Sequence, residues 1–163
     1  MKYLLILVTG ALISGCTSEN GLVLDPVGPP PLQRSAVNSK KGTLLVYSAY
    51  DVGGNWNGRD PDRPVHSNYQ IFSRDGNLLR SVHNDSGTLQ QDPVPVELPA
   101  GKYRVIANAN GHGEVTIPVI IEAQQTTLLH LEGGGSWSNG MESNPTNVVR
   151  LPDGQMVGWR AAS

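Results

Sequence analysis

Four histidines, a run of acidic and amide side chains, three tryptophans and one cysteine carry most of the chemical potential of this 163-residue chain. The histidines are His66, His83, His112 and His130. No two stand at a helix-spaced metal pattern, so a zinc site would have to gather its ligands from separate strands. His112 falls in a turn and His130 alternates with the inward residues of a strand, so both are expected to face solvent. Asp51, Asn55, Asn57, Asp60 and Asp62 form a second grouping. Calcium is a hard cation that favours such oxygen-rich clusters. The EF-hand spacing fails here, because with Gly58 as the required glycine the first ligand position is Gly53 and the last is Pro64. Asx side chains also build turns without a metal. These five residues are therefore calcium candidates only under an alternative reading, and no cofactor is expected. Ser48, Ser73 and Ser81 lie in strands without a Gly-x-Ser-x-Gly context. The carboxylates read as turn or strand-face residues, with no paired setting for glycoside cleavage. No catalytic residue is assigned, and the chain is read as non-enzymatic.

Trp56 and Trp137 each lie in a long glycine-rich stretch. Each is either a plug over the end of the fold or an exposed anchor for a sugar ring or a protein. They define the expected binding surface, over residues 51–64 and 133–145. Trp159, in a terminal strand, is expected in the core.

The elements that must position these residues are strands. Leu98-Pro99-Ala100-Gly101 reads as a turn. After it, Tyr103, Val105, Ala107 and Ala109 share one face of an extended chain, with Lys102, Arg104 and Asn108 on the other. Asn110-Gly111-His112-Gly113 reads as a hairpin turn. Val115, Ile117, Val119 and Ile121 then alternate with Thr116, Pro118, Ile120 and Glu122. Pro118 has no ladder donor, so its strand is expected at a sheet edge or with that nitrogen toward solvent. Ala123-Gln124-Gln125 is a tight connection, and Thr127, Leu129 and Leu131 form the inward face of the next strand. Upstream, residues 42–49 and 65–73 read as strands. Arg74-Asp75-Gly76-Asn77 reads as a hairpin returning through Leu78–Val82, and Asn84–Asp92 as a polar crossing. Residues 147–151 and 155–160 form a terminal hairpin around Pro152-Asp153-Gly154. Nothing after residue 16 has helical apolar spacing over three turns. The expected fold is a single antiparallel all-β sandwich of seven to nine strands.

Leu98-Pro99-Ala100-Gly101-Lys102-Tyr103-Arg104-Val105, the Asn-Gly-His turn and Val119–Thr127 resemble the PEGA and carboxypeptidase-regulatory-like modules. The resemblance covers about 40 residues well. It implies a prealbumin-like sandwich that is non-catalytic and surface-displayed. It departs at Gln124-Gln125, where the pattern more usually has glycine.

Met1-Lys2-Tyr3 is a short basic start, followed by an apolar run over Leu4–Ile13. That run is too short to span a bilayer and suits the core of a signal peptide. Ile13-Ser14-Gly15-Cys16 resembles the bacterial lipobox, in which small residues fit the peptidase and the thiol takes the diacylglycerol. Cys16 is the only cysteine, so no intrachain disulfide forms. Residues 1–15 are thus expected to be a signal peptide and Cys16 the lipidation site, carrying diacylglycerol and palmitate. Residues 16–41, with Pro26, Pro29, Pro30 and Pro31, form an expected tether, within which Leu22-Val23-Leu24 has the character to pack on the domain. Residues 42–163 are the domain. Twelve basic and 14 acidic side chains give a formal charge of −2, and Lys2 leaves with the signal. That balance excludes the basic field that nucleic acid requires and a polybasic membrane patch. Membrane attachment must come from acyl chains, more than one for stable anchoring. Thr17 matches outer-membrane sorting in a Gram-negative host. The expectation is a lipid-anchored envelope module with a structural or protein-interaction role. The alternatives are a carbohydrate- or peptidoglycan-binding module and a calcium-stabilised adhesin-like domain.

Overall fold

The computed structural model describes residues 21–30, 40–50, 65–87, 92–133 and 145–162. They form an all-β sandwich of eleven strands: β1 (Leu22–Val23), β2 (Val27–Gly28), β3 (Lys41–Tyr47), β4 (Tyr69–Ser73), β5 (Leu78–Val82), β6 (Val96–Pro99), β7 (Gly101–Ala109), β8 (Gly113–Ile121), β9 (Thr126–His130), β10 (Val148–Arg150) and β11 (Met156–Arg160). The large sheet runs β10-β11-β2-β8-β7-β4-β5, with β1 also on β8, and the small sheet runs β6-β3-β9.

The alternation in the sequence sets the core. Val105, Ala107, Val115, Ile117, Val119 and Ile121 from the large sheet are buried against Leu44, Val46, Val96, Leu98 and Leu129 from the small one. β7 and β8 pair along their whole length, from Gly101↔Ile121 to Ala109↔Gly113. Burying one face of so long a ladder fixes its register, because a slip of one residue would turn every inward side chain out. Gly111 and Gly113, at φ 76° and 68°, supply the left-handed turn.

The sheets are mixed, not wholly antiparallel. β9 pairs parallel to β3, from Thr43↔Thr126 to Tyr47↔His130. The chain changes sheet at Ala100 and at Ala123-Gln124-Gln125, so β6 and β7 are consecutive but lie in different layers. The corner at Ala100 is held by the Tyr103 hydroxyl, which donates to the Pro99 carbonyl at 2.9 Å. At the other corner Gln124 takes φ 66°, the sole non-glycine positive φ among the described residues. It stands where the sequence departs from a glycine-bearing pattern.

Two further expectations are corrected. Residues 22–28, placed in the tether, are part of the sheet, which raises the strand count above nine. Leu24 and Val27 are buried, and β1 and β2 each run parallel to β8. Their apolar side chains gain more by covering the open side of β8 than by remaining solvated. Consequently β8 is interior, not an edge. The Leu24 amide bonds the Thr116 carbonyl at 2.9 Å. Thr116 and Pro118 present their backbone groups on the same side of the strand. The donorless nitrogen of Pro118 therefore faces the break between β1 and β2, at Asp25-Pro26, where no ladder bond is needed.

The C-terminal hairpin belongs to the main sandwich: Trp159 pairs with Gly28 and Arg160 with Val27. A Cβ at Gly158 would sit 2.7 Å from the Leu128 carbonyl oxygen, so the absence of a side chain there lets β11 close against β9.

Candidate functional site

β3 and β9 finish side by side, and their last residues meet the chain returning at Val65. Tyr47 stacks on His130 with centroids 4.3 Å apart and planes 8° apart. His66 meets the Tyr47 ring edge-on at 5.7 Å, and Tyr50 stacks on His66 at 4.8 Å. The Tyr50–His66 pair is also an antiparallel bridge. Glu132, two residues past β9, accepts from His130 Nδ1 at 2.9 Å. Four rings and a carboxylate are thus gathered at one end of the sandwich.

A buried polar network holds the cluster. His66 Nδ1 lies 2.6 Å from the Ser48 carbonyl oxygen. A carbonyl only accepts, so Nδ1 carries the proton and in the neutral ring Nε2 holds the lone pair. The Ser48 hydroxyl donates to the Ser67 carbonyl at 2.6 Å. Asn84, 1% exposed, donates to the Val46 carbonyl at 2.8 Å and to Ser48 Oγ at 3.1 Å. Its own carbonyl accepts from the Val94 amide at 3.0 Å. One asparagine so ties β3 to the crossing between β5 and β6. His66 Nε2 and Glu132 Oε2 are buried without a hydrogen-bond partner among the described residues. Such acceptors are costly to leave unmade and call for a donor.

Burial first, and then the charges of Asp92 and Glu132, hold the Tyr47 hydroxyl above the ordinary phenol range. Burial and then Glu132 do the same to Tyr50. Both phenols are therefore protonated donors at neutral pH, not bases. Ser48 and His66 adjoin, but the imidazole bonds the serine backbone and the serine proton goes to Ser67. Neither is arranged to activate the hydroxyl. The arrangement offers aromatic faces, phenol donors and two acceptors without a partner among the described residues.

The remaining histidines stand apart. His112 Nε2 lies 3.1 Å from Asp153 Oδ2, joining the β7–β8 turn to the β10–β11 turn. The Gln155 amide and then His112 hold the Asp153 carboxyl below its ordinary value. His83 Nδ1 donates to Asn68 Oδ1 at 3.0 Å on the surface. The expectation that His112 and His130 face solvent is corrected. His130 is 7% exposed, covered by Tyr47 and by the C-terminal hairpin, whose Gln155 donates to the His130 carbonyl at 3.3 Å. His112 is half-buried against Asp153. Strand alternation missed this because it does not show what packs on the outer face of the small sheet.

Cys16, Trp56 and Trp137, and Asp51, Asn55, Asn57, Asp60 and Asp62, lie outside the described residues. Trp159, expected in the core, is half-buried, and its indole nitrogen is buried without a partner among the described residues. Ser73 Oγ accepts the Asn77 amide in the hairpin turn, and Ser81 is exposed on the edge strand β5. Among the described residues no three His, Cys, Asp or Glu side chains are grouped to hold a metal ion. No described helix is long and apolar enough to cross a membrane. Tyr47, Tyr50, Glu132 and Asn84 were not picked out by sequence reasoning. Their signal was adjacency, since Tyr50 precedes and His66 follows the first glycine-rich stretch, and Glu132 precedes the second.

A separate open groove of about 260 Å³ lies on the outer face of the large sheet, lined by Asn68, Gln70, Ser81, Ile106, Asn108 and Glu114.

No family model, no curated protein and no solved structure matches the chain.

Proposed function

We propose that this protein is a lipid-anchored, non-enzymatic module of the bacterial cell envelope, held by acyl chains on Cys16, that engages an envelope partner through the end carrying Tyr47, Tyr50, His66, His130 and Glu132. The signal-like start, the lipobox-like Ile13-Ser14-Gly15-Cys16 and Thr17 support an outer-membrane address. The observation that carries the recognition role is the cluster itself. Its rings, and two acceptors without a partner among the described residues, lie at the end to which both tryptophan-bearing stretches attach, through Tyr50 and Val65 and through Gly133. The resemblance of Leu98–Val105 to PEGA modules favours display over catalysis.

The test is photocrosslinking in living cells, with the probe at Trp137 and a control probe at Lys102, on the opposite end. A discrete protein adduct from Trp137 and none from Lys102 supports the proposal. Equal labelling from both ends, or none from either, sinks it.

A second reading, glycan binding, has its own observation. The open groove offers amide and hydroxyl groups from Asn68, Gln70, Ser81 and Asn108 beside the apolar Ile106, the mixture a neutral sugar chain requires. Retention on cell-wall glycan that disappears in a Gln70→Ala/Asn108→Ala variant would favour it.

A further inference from the structure

We infer that the end bearing the Tyr47–Tyr50–His66–His130–Glu132 cluster is the face this protein turns toward the bilayer, and that its neighbour there is the lipid headgroup layer. The inference rests on the lipid-anchoring reading proposed above. It follows from the direction and register of the first strand. β1 runs parallel to β8, with Leu22 opposite Val115 and Val23 opposite Thr116. Val115 in turn pairs with Ala107, two residues from the β7–β8 turn. That turn is at the cluster end: the Ala49 amide bonds the Asn108 carbonyl at 2.8 Å, and the Asn110 amide bonds the Leu131 carbonyl at 2.7 Å. Because β1 is parallel to β8, the chain enters the sheet at the cluster end and travels away from it. The described chain therefore begins at that end.

The leash is short. Cys16 precedes Leu22 by six positions, which even fully extended span at most about 22 Å. The proline-rich residues 29–31 add nothing to it, since they follow β2 and lead to β3 at the opposite end. β8 spans nine residues, so the opposite end lies about 30 Å farther from the anchor at 3.3 Å per residue. The described lysines, Lys40, Lys41 and Lys102, are all at that far end. Their separation from the leash exceeds the roughly 8–10 Å over which such charges act in physiological salt. Tyr47 and Tyr50, half-buried with polar tips, suit a headgroup layer, where amphipathic rings sit well. The acyl anchor thus presents the cluster to ligands at the membrane surface.

The test uses the full lipidated protein in phosphatidylethanolamine/phosphatidylglycerol vesicles with a nitroxide quencher on a fraction of the headgroups. Acylation blocks Cys16, so single new cysteines can carry the fluorophore: Glu114→Cys near the cluster end and Lys102→Cys at the far end, both exposed. The expected result is at least threefold stronger quenching at position 114. Inserting twenty Gly/Ser residues between Thr17 and Ser18 should erase that difference while leaving the protein on the vesicles. Equal quenching at the two positions, or stronger quenching at 102, overturns the inference with anchoring intact. Failure to bind vesicles, with no acyl mass on Cys16, overturns the anchoring reading and the inference with it.

Discussion

At the cluster end, four rings, a buried asparagine and two acceptors without a partner among the described residues sit among the longest connections of the chain. At the opposite end, besides the connection from β2 to β3 over residues 29–40, the sandwich is closed by the Arg74–Asn77 turn, the Ala100 corner and Ala123-Gln124-Gln125, each a few residues long. There the chain is bonded tightly to itself: Gln124 and Ala100 donate to the Lys41 and Lys40 carbonyls, and Thr43 to that of Gln125. Both ends are built on the same β7–β8 ladder, so the contrast is not one of scaffold. It separates an end optimised for closure from an end that retains polar groups a simple core would not keep. The proposed recognition role is read from the second end because its polar groups are held in place while two of them lack a partner among the described residues.

The contrast can be broken most severely at the tight end. Gly42 is buried, and a Cβ there would overlap the Glu122 carbonyl oxygen. Backbone, not a flexible side-chain tip, is in the way. Gly42→Ala is expected to destabilise by about 3 kcal/mol, the upper part of the usual overpacking range, read as a fall in the denaturant midpoint. At the cluster end, Asn84→Ala should cost about 2 kcal/mol by leaving the Val94 amide and Ser48 hydroxyl short of a partner. It should also disturb the His66 and Tyr50 resonances while sparing those of Lys102 and Ala123. Loss spread evenly over both ends would erase the distinction.

A milder change should sharpen it. Gln124→Gly at the tight end removes a left-handed non-glycine residue and should stabilise by about 1 kcal/mol, the usual cost of that conformation. The gain should appear in thermal melting without any change in crosslinking from Trp137. The smallest effect is the pH dependence at the cluster end. Asp153 is held below its ordinary carboxylate value, by the Gln155 amide first and then by His112. A carboxyl that is more acidic folded than unfolded stabilises above its unfolded value, and that contribution fades as pH falls through the folded value. Asp153→Asn should therefore narrow the difference in melting temperature between neutral pH and pH 3.

The sequence disclosed much of this architecture through alternation and turns. Val105/Ala107/Ala109 and Val115/Ile117/Val119/Ile121 are buried as their spacing requires, and Asp75-Gly76 turns where such a pair should. What period-two reasoning could not see was long-range pairing. Leu22, Leu24 and Val27 sit in a proline-rich stretch too short to show periodicity, and only the open side of β8 makes strands of them. His130 was misplaced for the same reason, since its cover comes from Tyr47 and from Gln155, 25 residues on. The cluster depends on three segments meeting, so its members looked unremarkable one at a time.

Hydrogen exchange of the lipidated protein, compared between its native membranes and detergent, tests the division of labour most directly. The account predicts that membranes slow exchange at residues 47–50, 65–68 and 130–133, with residues 74–77 and 122–126 unchanged. Slowing confined to 74–77 and 122–126, or no difference at either end, would contradict it.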